Sequence, residues 1–309
     1  MKMAILGSGS LGSVFGGILT EAGCDVTLLN RPNAHIDVLR EQGLTLVTES
    51  GERLVKVRAA SDPAEVGPVD LIIVLVKSSF TRVAITGARA LIGERTLALT
   101  LQNGLGNEEI LTEFFGADHV LSGRTYVGGA LLAPGRVQIG VEGRETLIGE
   151  LDGRLSARAA VISALFNRAG LETRVIAEIR TLIWQKLLIN VAGGAICGIT
   201  GLSYGQLLEV PEAVETAAAA VAEAISVGRA AGVPLEVADP HEVLIKASAG
   251  LPYDFMPSIL QDLKRRRPSE VDFINGAVVH EGQKYGVPTP VNNTLVAGIK
   301  GIEFGFSQG

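Results

Sequence analysis

Lys186 and Asn190 stand one helical turn apart in Glu178-Ile-Arg-Thr-Leu-Ile-Trp-Gln-Lys-Leu-Leu-Ile-Asn-Val-Ala-Gly-Gly194. A helix here puts both on one face, with Leu182 and Ile183 a turn earlier on the same side. A lysine on an apolar stripe either runs outward along its own methylenes or enters a cleft. In a cleft, desolvation would disfavour the charged form and lower its pKa, which makes a better proton donor near neutral pH. Pattern alone leaves the two open. Gly193 and Gly194 each cost about 1 kcal/mol relative to alanine inside a helix, so they mark close backbone packing or a helix end. Ser258, in Met256-Pro-Ser-Ile-Leu-Gln-Asp262, and Glu270, in Arg267-Pro-Ser-Glu-Val-Asp-Phe-Ile-Asn-Gly276, also have plain structural readings. Ser258 follows Pro257 at a helix start; Ser269 caps a helix in which Glu270 is a first-turn acid facing the dipole. Taken singly, both residues favour that account.

A second group of polar residues lies at strand ends. Lys77 follows the apolar run Asp70 to Val76, and Asn103 sits in Gln102-Asn103-Gly104-Leu105-Gly106 after a strand from Thr96 to Leu101. The carboxyl ends of strands are where an open α/β sheet binds ligands, so both are candidates for cofactor or substrate contact. At the start of the chain, an apolar strand runs into Gly7, Ser8, Gly9, Ser10, Leu11 and Gly12 and then into a helical pattern. Gly7 allows the tight turn, Gly9 lets the backbone approach a pyrophosphate, and Gly12 lets helix pack on strand. A second strand, Asp25 to Asn30, closes a βαβ unit of the right length, which makes the glycines a dinucleotide-binding fingerprint. Where an NAD site usually carries an acid for the ribose 2′-hydroxyl, this chain has Asn30 and Arg31. A guanidinium suits a 2′-phosphate by charge and donor fork, so NADP (NADPH) is favoured over NAD, the alternative being an exposed surface arginine.

These residues need a scaffold, and the pattern supplies one. Strands alternate with helices through Phe115, including Thr81 to Ile92 as helix and Leu44 to Ala60 as a hairpin around Ser50-Gly51. Asp70 to Val76 is apolar on both faces, as a parallel strand covered on each side must be. From Val120 to Gly149, short strands with turns at Pro134-Gly135 and Glu142-Gly143 are expected to extend the same sheet in mixed directions. Ser156 to Ala169 reads as helix and Glu172 to Ile176 as the last strand. Beyond it the chain is helical: Glu178 to Ile196, Pro211 to Ala231, Pro257 to Arg266 and Ser269 to Tyr285. The expected architecture is α/β, an N-terminal Rossmann-type doubly wound sheet over residues 1–177 followed by an all-α domain over residues 178–309. With no linker of low complexity between them, the two are expected to touch and enclose a cleft.

The 309 residues are 47% hydrophobic with a net charge of -6, which argues for a large core and against a nucleic-acid surface. Leu187 to Leu208 carries no charge and reaches spanning length, but its glycines and polar residues read as buried core helix and turn, so no membrane partner is expected. Nor does the N-terminus read as a secretory leader. Cys24 and Cys197 lie far apart, and histidines at 35, 119, 241 and 280 are scattered, so neither disulfide framework nor metal site is expected and the compartment expected is the cytoplasm. A monomer and a homodimer both fit the sequence.

The glycine loop, Lys77, the Gln102-Asn103-Gly104 turn, the Trp184-Gln-Lys-Leu segment with Asn190, the Ser258-Ile-Leu-Gln-Asp stretch and the run Ser269-Glu-Val-Asp-Phe-Ile-Asn-Gly-Ala-Val-Val279 together resemble the ketopantoate reductase (2-dehydropantoate 2-reductase) family over essentially the whole chain. The resemblance implies NADPH-dependent reduction of a 2-keto acid, most simply ketopantoate in pantothenate biosynthesis. By position it implies Lys186 as proton donor to the carbonyl oxygen, Asn103 at cofactor and substrate, Asn190 and Ser258 at the substrate, and Glu270 against the cofactor or substrate hydroxyl. Arg31 matches the 2′-phosphate contact, and Ala130 lines the cofactor site. Where the family usually has another asparagine, this chain has Gly194, and a further one falls near Ser203 to Tyr204. Loss of an amide there weakens hydrogen bonding to the usual substrate or opens room for a bulkier one. The rivals are therefore a 2-hydroxy acid dehydrogenase acting on a different branched or aromatic keto acid, and a non-catalytic NADP-binding sensor. Joint retention of Lys186, Ser258 and Glu270 speaks against the sensor.

Overall fold

The apolar run after Asp70 forms a strand, and its neighbours explain why it has no polar face. In the computed structural model, which describes residues 1–140 and 145–306, Leu71–Val74 is buried throughout. Leu71 and Ile73 join the apolar layer on one side of the sheet, Ile72 and Val74 the layer on the other. In the first strand Met3 and Ile5 divide from Ala4 and Leu6 in the same way.

That strand belongs to the first of two units, Met1–Gln102 with Asn107–Ile179. It contains β1 (Lys2–Leu6), α1 (Ser10–Glu21), β2 (Asp25–Leu29), α2 (Ala34–Glu41), β3 (Leu44–Thr48), β4 (Gly51–Val55), β5 (Arg58–Ala60), β6 (Leu71–Val74), α3 (Thr81–Gly87), β7 (Leu97–Thr100), α4 (Asn107–Phe115), β8 (Val120–Thr125), β9 (Gly129–Ala133), β10 (Arg136–Ile139), β11 (Thr146–Gly149), α5 (Ala157–Arg168) and β12 (Thr173–Val175). The main sheet has the order β12-β11-β8-β7-β6-β1-β2-β5. All its pairings are parallel except β11 with β8. This is the doubly wound Rossmann-type sheet the sequence leads one to expect.

Two strands depart from that expectation. β8 and β11 extend the main sheet, but β9 and β10 leave it and join the β3–β4 hairpin in a second sheet of order β4-β3-β10-β9. The reason lies in α1, which buries Gly12 through Gly17 and Leu19, too much of its circumference for one sheet to cover. Val137 of β10 pairs with Leu46 of β3, and both join α1 residues Val14, Phe15 and Leu19 in one apolar layer. The Pro134-Gly135 turn joins β9 to β10, whereas the Glu142-Gly143 turn lies outside the described residues.

The second unit comprises Asn103–Gly106 and Arg180–Gly309. Its helices are α6 (Ile179–Thr200), α7 (Tyr204–Leu207), α8 (Pro211–Ala230), α9 (Pro240–Ser248), α10 (Ser258–Lys264), α11 (Asn275–Tyr285) and α12 (Pro290–Gly305). Of these α6 is long and apolar enough to cross a membrane, and most of it is buried in the unit's own core, from Trp184 through Leu187, Leu188 and Val191 to Cys197. It runs one turn further than its sequence pattern indicates. The expected helix from Ser269 to Tyr285 is interrupted: a short 3-10 turn at Val271–Phe273 precedes α11, and Ile274 at φ -109°, ψ -91° breaks the helical path. The Phe273 carbonyl instead accepts the Leu105 N–H at 2.9 Å.

Candidate active site

The glycine loop is shaped by close backbone approach. Gly7 has φ +103°, and a Cβ on it would come within 2.5 Å of the Val76 nitrogen, while one on Gly12 would overlap the Gly7 carbonyl oxygen. Beside Gly9 there is open space. Gly9 caps α1 without any side-chain hydrogen bond, and the first turn of the helix holds no acid. Ser8 is 0% exposed and its Oγ has no hydrogen-bond partner among the described residues. Orphan N–H groups at a helix start, a buried hydroxyl and a glycine-lined opening are the donor set that a pyrophosphate takes, so the residues present fit a dinucleotide.

Three further candidates stand around this loop. Ser10 Oγ accepts the Leu131 N–H at 3.1 Å, which places exposed Ala130 on the strand tied to the loop. Arg31 is exposed at the end of β2, its N–H bonded to Asn30 Oδ1 at 2.9 Å and its carbonyl accepting from Asn33 Nδ2 at 2.6 Å. Its guanidinium lies over the ring of Phe80. Lys77 is half-buried, and the main chain on either side of it is clamped. Gln102 Nε2 donates to the Val76 carbonyl at 2.8 Å and to Thr81 Oγ1 at 2.7 Å; Thr81 Oγ1 donates to Asn107 Oδ1 at 2.9 Å; Asn107 Nδ2 donates to Ser78 Oγ at 3.1 Å. This network at the ends of β6 and β7 went unread in the sequence, because its members are scattered and ordinary in type. One residue on, Glu108 accepts from Ser122 Oγ at 2.5 Å, and burial, with the charge of Glu109, pushes its carboxyl up to about 7.

In the helical unit, Lys186 and Asn190 are both half-buried on one face of α6, as spacing requires. The next position on that face is Gly194, which is buried, and a Cβ there would meet Ile259 Cδ1 at 3.1 Å. Ile259 follows Ser258, the exposed first residue of α10, so the lysine face of α6 runs toward the start of that helix. Gly193 has a different cause: a Cβ on it would lie 2.7 Å from Tyr204 Cζ. Of the two readings of the glycine pair, close packing is therefore the one found, and the helix continues past it. Tyr204 is buried and stacks on Phe255, while Ser203 caps α7, so neither offers an amide in place of the family's asparagine. Asn103 and Glu270, remote in sequence, come together: Asn103 Nδ2 reaches Glu270 Oε2 at 3.5 Å. Gly104, at φ +84°, sits against the Phe273 carbonyl, where any side chain would collide. Ser269 does turn the chain here, accepting the Val271 N–H at 3.3 Å, but Glu270 precedes a 3-10 turn and is no first-turn acid of α11.

Two family models match the chain: Ketopantoate reductase PanE/ApbA over residues 3–153, and its C-terminal counterpart over residues 178–303. The chain belongs to the ketopantoate reductase family. Among its relatives, the 2-dehydropantoate 2-reductase of Halobacterium salinarum is 36% identical, covering 96% of each chain, and that of Archaeoglobus fulgidus is 32% identical, covering 98% of each. Among solved structures, a PanE/ApbA family ketopantoate reductase from Ralstonia eutropha is 33% identical with a TM-score of 0.90, covering 99% of this chain and 100% of that one. D-mandelate dehydrogenase, solved with NADH and anilino(oxo)acetate, is 27% identical with a TM-score of 0.89 over the same shares.

Proposed function

We propose that this chain is an NADP-dependent oxidoreductase that reduces 2-dehydropantoate to pantoate in pantothenate biosynthesis. The observation that carries the reading is the full-length match to 2-dehydropantoate 2-reductases, in which the stretches holding the glycine loop and the Lys186–Asn190 face are both included. Residues 1–177 hold the cofactor and residues 178–309 the substrate and its proton source. A cytoplasmic setting goes with this reading and is supported by two free cysteines.

Gly7 to Gly12 take the pyrophosphate, with Ser8, Ser10 and Leu11 in the same loop. Arg31 takes the 2′-phosphate, and Lys77 and Ala130 line the cofactor's path. When bound, the nicotinamide supplies hydride to C2 of the keto acid. As charge develops on the carbonyl oxygen, Lys186 Nζ faces it and gives up a proton, so the alkoxide never stands uncompensated. Asn190 and Ser258 hold the substrate by hydrogen bonds. Glu270, held near Asn103, orients the cofactor or substrate hydroxyl.

A second reading keeps the chemistry and changes the acid. Gly194 leaves the lysine face of α6 without a polar side chain next to Ile259, and the likeness to D-mandelate dehydrogenase points the same way, toward a larger or aromatic 2-keto acid. Steady-state NADPH oxidation, with NADH in parallel, against ketopantoate and a panel of branched and aromatic 2-keto acids separates the two. Preference for ketopantoate supports the first reading, preference for another acid the second, and no turnover with any acid overturns both.

A further inference from the structure

A buried line of hydrogen bonds runs from the β9–β10 turn to the glycine loop. The Gly135 N–H donates to His35 Nδ1 at 2.9 Å, His35 Nε2 lies 3.0 Å from Ser13 Oγ, and Ser13 Oγ donates to the Ser8 carbonyl at 3.2 Å. Every direction in this line is fixed by chemistry. A main-chain N–H can only donate, so Nδ1 must carry its lone pair. A carbonyl can only accept, so the Ser13 proton points at Ser8. The Ser13 oxygen therefore accepts from Nε2–H, and the ring is the neutral Nε2–H tautomer. Its surroundings agree: His35 is 6% exposed and Ser13 0%, and burial lowers the imidazole pKa below its ordinary value, outweighing the Ser8 main chain beside the ring, which raises it.

The receiving end of the line is what gives it a function. The Ser8 carbonyl and the Gly9 N–H belong to one planar trans peptide and point in opposite directions. Ser8 N–H is already bound to the Leu29 carbonyl at 3.0 Å. Drawing the Ser8 carbonyl inward to Ser13 thus turns the Gly9 N–H outward, at the uncapped start of α1. We propose that His35 is a positioning residue for the glycine loop: through Ser13 it sets the plane of the Ser8–Gly9 peptide and aims the Gly9 N–H at the cofactor's pyrophosphate. The inference rests on the glycine loop being the cofactor's seat.

The test is NADPH binding by the full-length protein, followed by nucleotide fluorescence, alongside steady-state kinetics. A glutamine at 35 can put an amide N–H where Nε2–H was, whereas an asparagine can only replace the acceptor for Gly135. His35→Gln is expected to keep the NADPH Kd within about twofold, and His35→Asn and His35→Ala to raise it roughly tenfold, the weight of one buried hydrogen bond. At saturating NADPH the kcat of all three stays within about twofold, because the line touches orientation and not chemistry. Ser13→Ala removes the middle link in a nearly isosteric way, so it covers the case in which a histidine variant fails to fold. It is expected to match His35→Ala, and the double variant to bind no more weakly than either. A merely structural histidine would lower the melting temperature in all variants without ranking them by NADPH affinity. Unchanged Kd in Ser13→Ala, or His35→Gln as weak as His35→Ala, overturns the inference and leaves the cofactor site standing. Absence of NADPH binding by the unmodified protein overturns both.

Discussion

The Arg31 guanidinium lies 5.3 Å from the centre of the Phe80 ring. Phe80 is 39% exposed for a large apolar side chain, and it stands three residues beyond Lys77, just before α3 in the crossover from β6 to β7. A guanidinium attracted to a ring face is restrained without using its N–H donors on the ring, which leaves them to bond a phosphate. Arg31→Ala should therefore weaken NADPH at least tenfold while leaving NADH nearly unchanged. Phe80→Ala should reproduce a fraction of the effect, roughly twofold to fivefold, as an exposed cation–π contact would allow. Michaelis constants for the two nucleotides decide it; equal losses for both would remove the 2′-phosphate role.

Lys186 is proposed above as the proton donor to the carbonyl, so its loss should appear in turnover. Lys186→Ala should lower kcat by roughly a hundredfold or more, the usual weight of a positioned proton donor, with NADPH affinity kept. Stopped-flow NADPH oxidation at saturating keto acid is the measurement, and an unchanged kcat would take the proton-donor role away.

The buried Glu108 should leave a mark on stability against pH. Its carboxyl is raised from 4.5 to about 7, so the folded state holds that proton more tightly than the unfolded chain does. Stability then falls as pH rises through this window, by about 3 kcal/mol. Glu108→Gln keeps an acceptor for Ser122 Oγ and carries no charge. Urea unfolding at pH 5 and pH 8 should show the variant more stable than the parent at the higher pH and similar at the lower. A parallel pH dependence in the two proteins would contradict the burial argument.

Gly193→Ala sets two effects against each other. Alanine is the better helix former by about 1 kcal/mol, but its methyl would lie 2.7 Å from Tyr204 Cζ, and overpacking costs about 1–3 kcal/mol. The collision should win, and the variant should unfold at lower urea. Tyr204→Leu in the same chain should recover part of the loss, a coupling that a double-mutant cycle reads directly.

Much of the fold was legible because burial on both faces leaves a one-dimensional trace. Leu71 to Val74 could be read as a central strand from its own composition, and the glycines at 7, 9 and 12 from their spacing. What could not be read depends on partners remote in the chain. Nothing local in Gly129 to Ile139 says that β9 and β10 will cover α1 instead of lengthening the main sheet. Ser269 and Glu270 look like a helix start, and only Leu105, far upstream, claims the Phe273 carbonyl and delays the helix to Asn275. Among the candidate site residues, the glycine loop could be read from type and spacing, whereas pattern alone left Lys186 open between a cleft and the surface and Arg31 open to being a plain surface arginine. The network of Gln102, Thr81 and Asn107 left no such trace, since a satisfied polar network is visible only once its members are brought together. His35 was one of four scattered histidines until Gly135 and Ser13 fixed its proton.

The uncapped start of α1 and the Ser8 hydroxyl, without a partner among the described residues, also bear on how long the protein survives in a cell. Both are local costs that an anion seated at the loop, as proposed for the cofactor, would relieve. A ligand that binds only the folded form at a hundred times its Kd adds about 2.7 kcal/mol to stability. The fraction of molecules open to proteases would fall about a hundredfold with it, so the abundance of the protein would follow the supply of its own cofactor, with no separate regulator needed.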